Sequence, residues 1–164
     1  MIAFILNLLQ WVNDTPFAET IRESEWVFPA FETIHVVAIV LVLGSISRLD
    51  MRLIGLTSRG RAVTEVSDEM LPWTWASFGI ATVFGLLLFA SKPIRYLEIA
   101  FFDVKMILIL LAGLNMLFFE YVTLKTVAQW DRDPVPPMSA RVAGGLSLAF
   151  WLSVVVCGRF IGFI

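Results

Sequence analysis

A histidine and a carboxylate lie three residues apart inside a long apolar segment of this 164-residue sequence. His35, the only histidine, follows Glu32 at the spacing that puts both side chains on one face of a helix. The next residues, Val36 to Leu43, carry no polar side chain. Because ionisable groups are costly inside a membrane helix, the pair indicates a site that binds a ligand or handles protons. The alternative is a polar pair that holds helices together by hydrogen bonds.

The cofactors compatible with His35 and Glu32 are haem b and a metal ion. Haem in a membrane bundle takes axial ligands from two facing helices, and this chain offers one histidine. The second ligand would be Met106, at a similar predicted depth, or the histidine of a second protomer. Met106 is otherwise a filler of the core. Glu-x-x-His is also the motif of di-iron bundles, which this chain would have to assemble between protomers.

The composition is that of a membrane protein rather than of a soluble domain. Apolar residues make up 59% and charged residues 16% of the sequence, whereas soluble domains have about 45–50% and about 25%. A net charge of −2 offers no basic patch for nucleic acid. With one histidine and one cysteine, a closed zinc site of the common Cys/His type cannot form within one chain.

Four apolar segments predict an all-α fold, a four-helix transmembrane bundle in a single domain over residues 1–164. The predicted spans are residues 28–49, 73–90, 102–122 and 141–160, each close to the ~20 residues that cross a bilayer. Residues 1–27 form a predicted interfacial segment with an amphipathic N-terminal helix that is too short to span. A short interfacial helix is also predicted around residues 63–70.

Lysine and arginine set the predicted orientation of the bundle. The side with Arg48 and Lys125 collects seven of these residues, and the side with Arg22 and Lys92 collects five. The positive-inside rule places the first side in the cytoplasm. The sequence therefore predicts a multi-pass protein of the bacterial inner membrane, with both termini on the periplasmic side.

Charged residues lie at the predicted outer ends of the third and fourth spans, on the same side of the membrane as His35. Asp103, Lys105 and Arg159 are close enough to the membrane boundary to form an ion-pair cluster with Glu32 around His35. The alternative is that Lys105 and Arg159 extend to the lipid head groups.

A second charged group lies near the predicted cytoplasmic ends of the spans. Arg48, Asp50, Arg52 and Glu120 are predicted to form a salt-bridge network there, or to anchor the helix ends at the head groups. Asn115, in the middle of the third span, either holds helices together or lines a polar path.

Stripes of small residues predict close helix packing. Ser77, Ala81 and Gly85 recur at intervals of four in the second span, and small residues crowd the start of the fourth. Such stripes serve either the bundle itself or contacts between protomers, and a homo-oligomer is predicted.

Segments spread over nearly the whole chain carry a resemblance to a known family. They are residues 21–29 (IRESEWVFP), Glu32 with His35, residues 50–55 (DMRLIG), 71–75 (LPWTW) and 157–162 (CGRFIG). With them the chain resembles a family of small bacterial inner-membrane proteins known as a domain of unknown function, which implies a membrane fold and no particular activity. A looser, fold-level likeness links it to CopD-like copper-resistance proteins and four-helix cytochrome b proteins. Those cytochromes use paired histidine ligands.

Three functions remain open from the sequence. The first is a redox-associated membrane protein with haem or a metal near Glu32 and His35. The second is a transporter or channel for a small solute or protons, with Glu32, His35 and Asn115 along the path. The third is a non-catalytic subunit or scaffold of a larger membrane complex. The lack of a polar track beyond His35 favours the first.

Overall fold

The computed structural model describes residues 2–163, and these residues form helices and loops without a strand. Four helices are long and apolar enough to cross a membrane, which confirms the predicted all-α bundle of four spans. The helices are α1 (Ile2–Asn13), α2 (Pro16–Glu23), α3 (Val27–Leu53), α4 (Val63–Ser91), α5 (Pro93–Leu97), α6 (Ala100–Phe118) and α7 (Met138–Ile161). The chain continues α6 as a π-helical turn, Phe119–Thr123, and a 3₁₀ helix, Leu124–Gln129.

Three of the spanning helices, α3, α4 and α7, are longer than the apolar segments that predicted them. α3 has 27 residues, about 40 Å at 1.5 Å per residue, whereas the hydrocarbon core is about 30 Å thick. Its last turns therefore carry Asp50 and Arg52 beyond the predicted end of the span. α4 likewise joins the predicted interfacial helix and second span into one helix that runs through Pro72.

The four long helices do not close into a ring of equal contacts. α3 packs against both α4 and α7, and α6 packs against α7. In the described residues, α4 and α6 do not pack closely along their length. They meet near one end of the bundle, where the rings of Phe89 and Phe102 stack with centroids 5.4 Å apart. The bundle is therefore open between α4 and α6 away from that stack.

We name the two ends of the bundle after residues of α3: the His35 end, near its start, and the Asp50 end, near its last turn. The apolar core is concentrated at the Asp50 end. Small residues of α7 allow a close approach there, because a Cβ built at Gly144 would lie 3.0 Å from both the Asp50 carbonyl oxygen and Leu53 Cβ. The core residues are Ile46, Leu49, Leu53, Val63, Val66, Phe119, Trp130, Ala140 and Ala143.

The N-terminal helices pack on the His35 end through the buried Ala18 and Ile21 and through one arginine. Arg22 donates to the carbonyl oxygen of Ser91 at 2.9 Å, at the last residue of α4. Thr15 caps α2 by accepting from the Ala18 N–H at 3.2 Å. Both helices carry exposed apolar side chains, as expected of a segment that lies at a bilayer surface. They are Phe4, Leu6, Leu8, Trp11 and Phe17.

Candidate functional site

The cavity that best fits a ligand site lies at the Asp50 end, between the four long helices. It has a volume of about 260 Å³. Each of α3, α4 and α6 contributes residues at i, i+3, i+4 and i+7, which is one face of a helix. These residues are Ile46, Leu49, Asp50 and Leu53; Leu71, Thr74, Trp75 and Phe78; Ile109, Ala112, Gly113 and Met116. Ala143, Ser147 and Trp151 of α7 and Phe119 of the π-helical turn complete most of the wall.

Asp50 is the polar group of the cavity whose bonding is incomplete. Its residue is 3% exposed, and its carboxyl group shares a side-chain hydrogen bond with Ser147. The other oxygen, Oδ2, is buried without a hydrogen-bond partner. Buried polar atoms in folded proteins are almost always paired, so an orphaned carboxyl oxygen beside a cavity points to a missing donor.

Two uncharged polar side chains of the cavity wall, Asn115 and Thr74, are hydrogen-bonded across helices. Asn115 donates to the Ala143 carbonyl oxygen at 2.9 Å and so ties α6 to α7. The Thr74 hydroxyl lies 2.8 Å from the Ser45 hydroxyl, which ties α4 to α3. These bonds hold the wall of the cavity together. Among the described lining residues, Asp50 is the one with a buried side-chain oxygen that has no partner.

The helical irregularity after α6 borders this cavity. Phe119 and Glu120, at the start of the π-helical turn, and Leu124, at the start of the 3₁₀ helix, line it. Glu120 is exposed and lies at the edge. Single π-helical turns inside helices occur frequently at functional sites, because they re-aim side chains at the cost of regular hydrogen bonding.

His35 makes a specific contact between helices at the other end. Its Nδ1 lies 2.7 Å from the carbonyl oxygen of Ala81 on α4. Since a carbonyl oxygen only accepts, Nδ1 carries the proton and Nε2 is left as the basic atom of the ring. The ring fits against Gly85, where a built Cβ would lie 2.8 Å from His35 Cε1. The stripe of small residues on α4 therefore serves packing within the bundle here.

Among the residues predicted around His35, Lys105 lies close enough for its positive charge to act on the ring. Glu32 is exposed and makes no hydrogen bond to His35 among the described residues. Met106 is 49% exposed. Residues 2–163 contain no group of three or more His, Cys, Asp or Glu side chains placed to hold a metal ion. The haem or metal hypothesis thus rests on His35 alone within one chain.

The predicted cluster of Asp103, Lys105 and Arg159 with Glu32 is not brought together as ion pairs in the described part of the chain. Ion pairs there involve Arg48 or Arg61 with acidic residues of α4. The Arg159 guanidinium lies over the Phe163 ring, 4.2 Å from its centroid. Asp103 is exposed. The Lys105 ammonium turns toward α7, 3.8 Å from a Cβ built at Gly158.

The second predicted charged group is distributed over separate contacts. Arg48 pairs with Glu69 at 3.4 Å, while Asp50 faces the cavity and Glu120 has no ion pair in the described residues. Arg52 is fully buried. It donates to the carbonyl oxygens of Arg61, Asp131 and Asp133 at 2.9, 3.2 and 3.0 Å. Arg52 therefore fixes two loops to α3.

Sequence reasoning did not single out the cavity or the Asp50–Ser147 pair. One signal was present, since Asp50 follows the buried Ile46 by four residues and so shares its helix face. Ser147 lies on a different helix, and nothing in its local sequence marks it as a partner.

Comparison with known proteins gives a family and nothing finer. The model of a family of unknown function, DUF6644, matches residues 9–164. No curated protein and no solved structure matches the chain.

Proposed function

The chain belongs to DUF6644, a family of unknown function, and we propose from its cavity that it binds a small amphipathic amine within the membrane. Such binding is the first step of the small-solute transport that the sequence suggested. The observation that carries the proposal is the orphaned Oδ2 of Asp50. The same cavity offers apolar walls for the rest of the molecule.

The chemistry of the ligand follows from the atoms that line the cavity. A carboxyl oxygen accepts hydrogen bonds, and an ammonium group is the donor that bonds a carboxylate most strongly. Trp75, Phe78 and Trp151 supply aromatic surface, which suits a hydrocarbon or aryl tail. The volume of about 260 Å³ accommodates a molecule of a few carbon atoms or one aromatic ring.

The test uses 4-bromophenethylamine as the probe, with purified protein in lipid nanodiscs. Its bromine quenches tryptophan on contact, and Trp75 and Trp151 line the cavity. We expect quenching that saturates with the amine and none that saturates with 4-bromophenylacetate, which carries a carboxylate in place of the ammonium. Simple partition into lipid gives a linear background that does not saturate.

Two matched variants decide whether Asp50 is responsible. Asp50→Asn replaces the carboxyl group by an amide, which cannot pair with an ammonium as a carboxylate does. We expect the dissociation constant to rise about tenfold or more, the loss of one charged hydrogen bond. Asp68→Asn makes the same change at an exposed position of α4 and should leave binding unaltered. A wild-type protein without saturable quenching, or an Asp50→Asn variant that binds like wild type, overturns the proposal.

A second candidate function, ligation of haem b or a metal ion by His35, has one observation in its favour. The Nδ1–H of metal-bound histidines is commonly held by a carbonyl or carboxylate, and Ala81 accepts at that position. The basic Nε2 remains for a ligand. The second axial ligand of a haem would be Met106, which is 49% exposed, or the histidine of a second protomer, in keeping with the proposed homo-oligomer. A Soret band that sharpens on reduction and disappears in His35→Gln supports it; a colourless, metal-free preparation contradicts it.

For the orientation we propose an inner-membrane protein with the Asp50 end in the cytoplasm, on the positive-inside argument. Gly60 lies in the loop between α3 and α4 and is exposed. A Gly60→Cys variant should react with an impermeant maleimide after cell lysis and not in intact spheroplasts. Labelling in intact spheroplasts reverses the proposed orientation.

A further inference from the structure

The wall of the cavity is incomplete on one side. α3 and α7 form a continuous floor because they pack against one another, and each also packs against an outer helix. α4 and α6, the two outer helices, do not pack closely in the described residues. The Phe89–Phe102 stack joins them at the His35 end. The gap that remains lies at the Asp50 end, over the cavity.

Residues on both rims of this gap line the cavity and are exposed at the same time. On α4, Trp75 lines the cavity and is 54% exposed. On α6, Gly113 lines the cavity and is also exposed. Their exposure agrees with the gap between α4 and α6 as the opening of the cavity. Both rims belong to membrane-spanning helices, so the surface they meet is the lipid-facing side of the bundle.

Gly113 adds no side-chain atom to the α6 rim of the gap. A Cβ built there would have no heavy atom within 4 Å. Close helix packing therefore does not require this glycine, in contrast to Gly85 and Gly144, where a Cβ would meet atoms at 2.8 and 3.0 Å. The absence of a side chain at position 113 keeps the gap wide.

We propose that the amine enters sideways from the lipid, through the gap between α4 and α6, so that its substrate class is membrane-dissolved amphiphiles rather than water-borne ions. This inference rests on the proposed function of the cavity. An amphiphile in the leaflet at the Asp50 end has its polar group near the head groups, at the level of Asp50, and its apolar part beside the gap. It therefore reaches Asp50 without crossing water.

The test measures rates, because the route of entry changes rates and not equilibrium. Stopped-flow quenching with 4-bromophenethylamine gives association and dissociation rates in nanodiscs. In Gly113→Phe the added ring obstructs the gap, and we expect both rates to fall about tenfold or more with an unchanged dissociation constant. Gly113→Leu should slow them by a smaller factor and serves if the phenylalanine variant does not assemble.

A matched control comes from α4 itself. Gly79 is exposed, does not line the cavity, and has no heavy atom within 4 Å of a built Cβ. Gly79→Phe should therefore retain wild-type rates. Lateral entry is wrong if the rates of Gly113→Phe and Gly113→Leu equal those of Gly79→Phe. It is also wrong if the affinity weakens while the association rate stays unchanged, because the new side chain then fills the cavity.

Entry from water is the competing route and has its own variant. Glu120 is exposed at the edge of the cavity, next to the π-helical turn. If Glu120→Trp slows both rates while Gly113→Phe does not, the ligand enters from the aqueous side and lateral entry is wrong. Absence of saturable quenching in the wild type is a separate result, because it refutes the binding proposal before any route is measured.

Discussion

His35 and Asp50 are polar residues near the two ends of the same helix, and they differ in how completely their side chains are hydrogen-bonded. His35 finds a carbonyl oxygen 2.7 Å away and a glycine that accommodates its ring. Asp50 is more deeply buried, yet one of its oxygens has no partner. Burial of a polar group in a membrane helix does not by itself identify a site. A buried atom left without a partner is the stronger indicator where its residue also lines a cavity, as Asp50 does; Arg52 Nη1 is unpaired as well but lies away from the cavity, in a contact that fixes loops.

Arg52 gives the largest expected effect and separates structure from binding at the Asp50 end. Arg52→Met leaves three carbonyl oxygens without their charged donor. We expect about 3 kcal/mol of lost stability or failure to fold, measured by thermal unfolding in detergent. Arg48→Met, one turn earlier on α3, removes an exposed ion pair and should cost less than about 1 kcal/mol. Equal losses would contradict the structural role of Arg52.

A double-mutant cycle tests the packing role of His35. Gly85→Ala places a Cβ 2.8 Å from His35 Cε1 and should destabilise the protein by about 1–3 kcal/mol through overpacking. In a His35→Ala background the same change meets no ring, so its cost should disappear. The two substitutions are therefore expected to couple strongly. Gly79→Ala, which meets open space, is the control and should not couple with His35→Ala. An additive cycle would show that the ring does not depend on Gly85.

The spans could be predicted because hydropathy reports directly on the cost of placing a segment in lipid. The ends of the helices could not be predicted in this way, because α3 and α4 continue through charged and proline-containing turns that lower the hydropathy of those segments. The spacing of Glu32 and His35 predicts a shared side of α3. It does not determine which neighbour His35 meets, since the Ala81 carbonyl and the notch at Gly85 are features of another helix.

The contacts at the Asp50 end could not be predicted from the sequence, because they involve main-chain atoms or residues far apart in the chain. Arg52 binds main-chain carbonyl oxygens, which every residue possesses and no pattern marks. Ser147 belongs to the small residues at the start of the fourth span, and their sequence does not identify a partner on α3. The gap between α4 and α6 is a property of packing over the whole bundle, and local sequence carries no record of it.

Replacing both polar residues by leucine tests the comparison directly. Asp50→Leu removes an orphaned oxygen next to a cavity with room for the side chain. We expect an unchanged or higher thermal stability, by about 1 kcal/mol, together with loss of saturable quenching. His35→Leu removes a satisfied hydrogen bond and leaves the Ala81 carbonyl unpaired by that ring, so stability should fall by about 1–3 kcal/mol. If Asp50→Leu is the more destabilising of the two, Asp50 has a structural role instead.

Asp131 gives the smallest expected effect and isolates a polar contact outside the membrane. Burial raises the pKa of Asp131, but the backbone N–H and hydroxyl of Thr64, each 2.8 Å from a carboxylate oxygen, outweigh it and hold the pKa below its usual value. A lowered folded-state pKa means that the charged form stabilises the fold above the unfolded pKa of about 3.9. That stability is lost as the pH falls through the folded-state pKa.

Asp131→Asn should therefore unfold at a lower temperature than wild type at pH 7, and the two melting curves should converge in acid. Thr64→Val, which keeps the backbone hydrogen bond, should lie between them. A gap between wild type and Asp131→Asn that stays constant down to the acid limit would mean that the carboxylate charge contributes nothing to this loop.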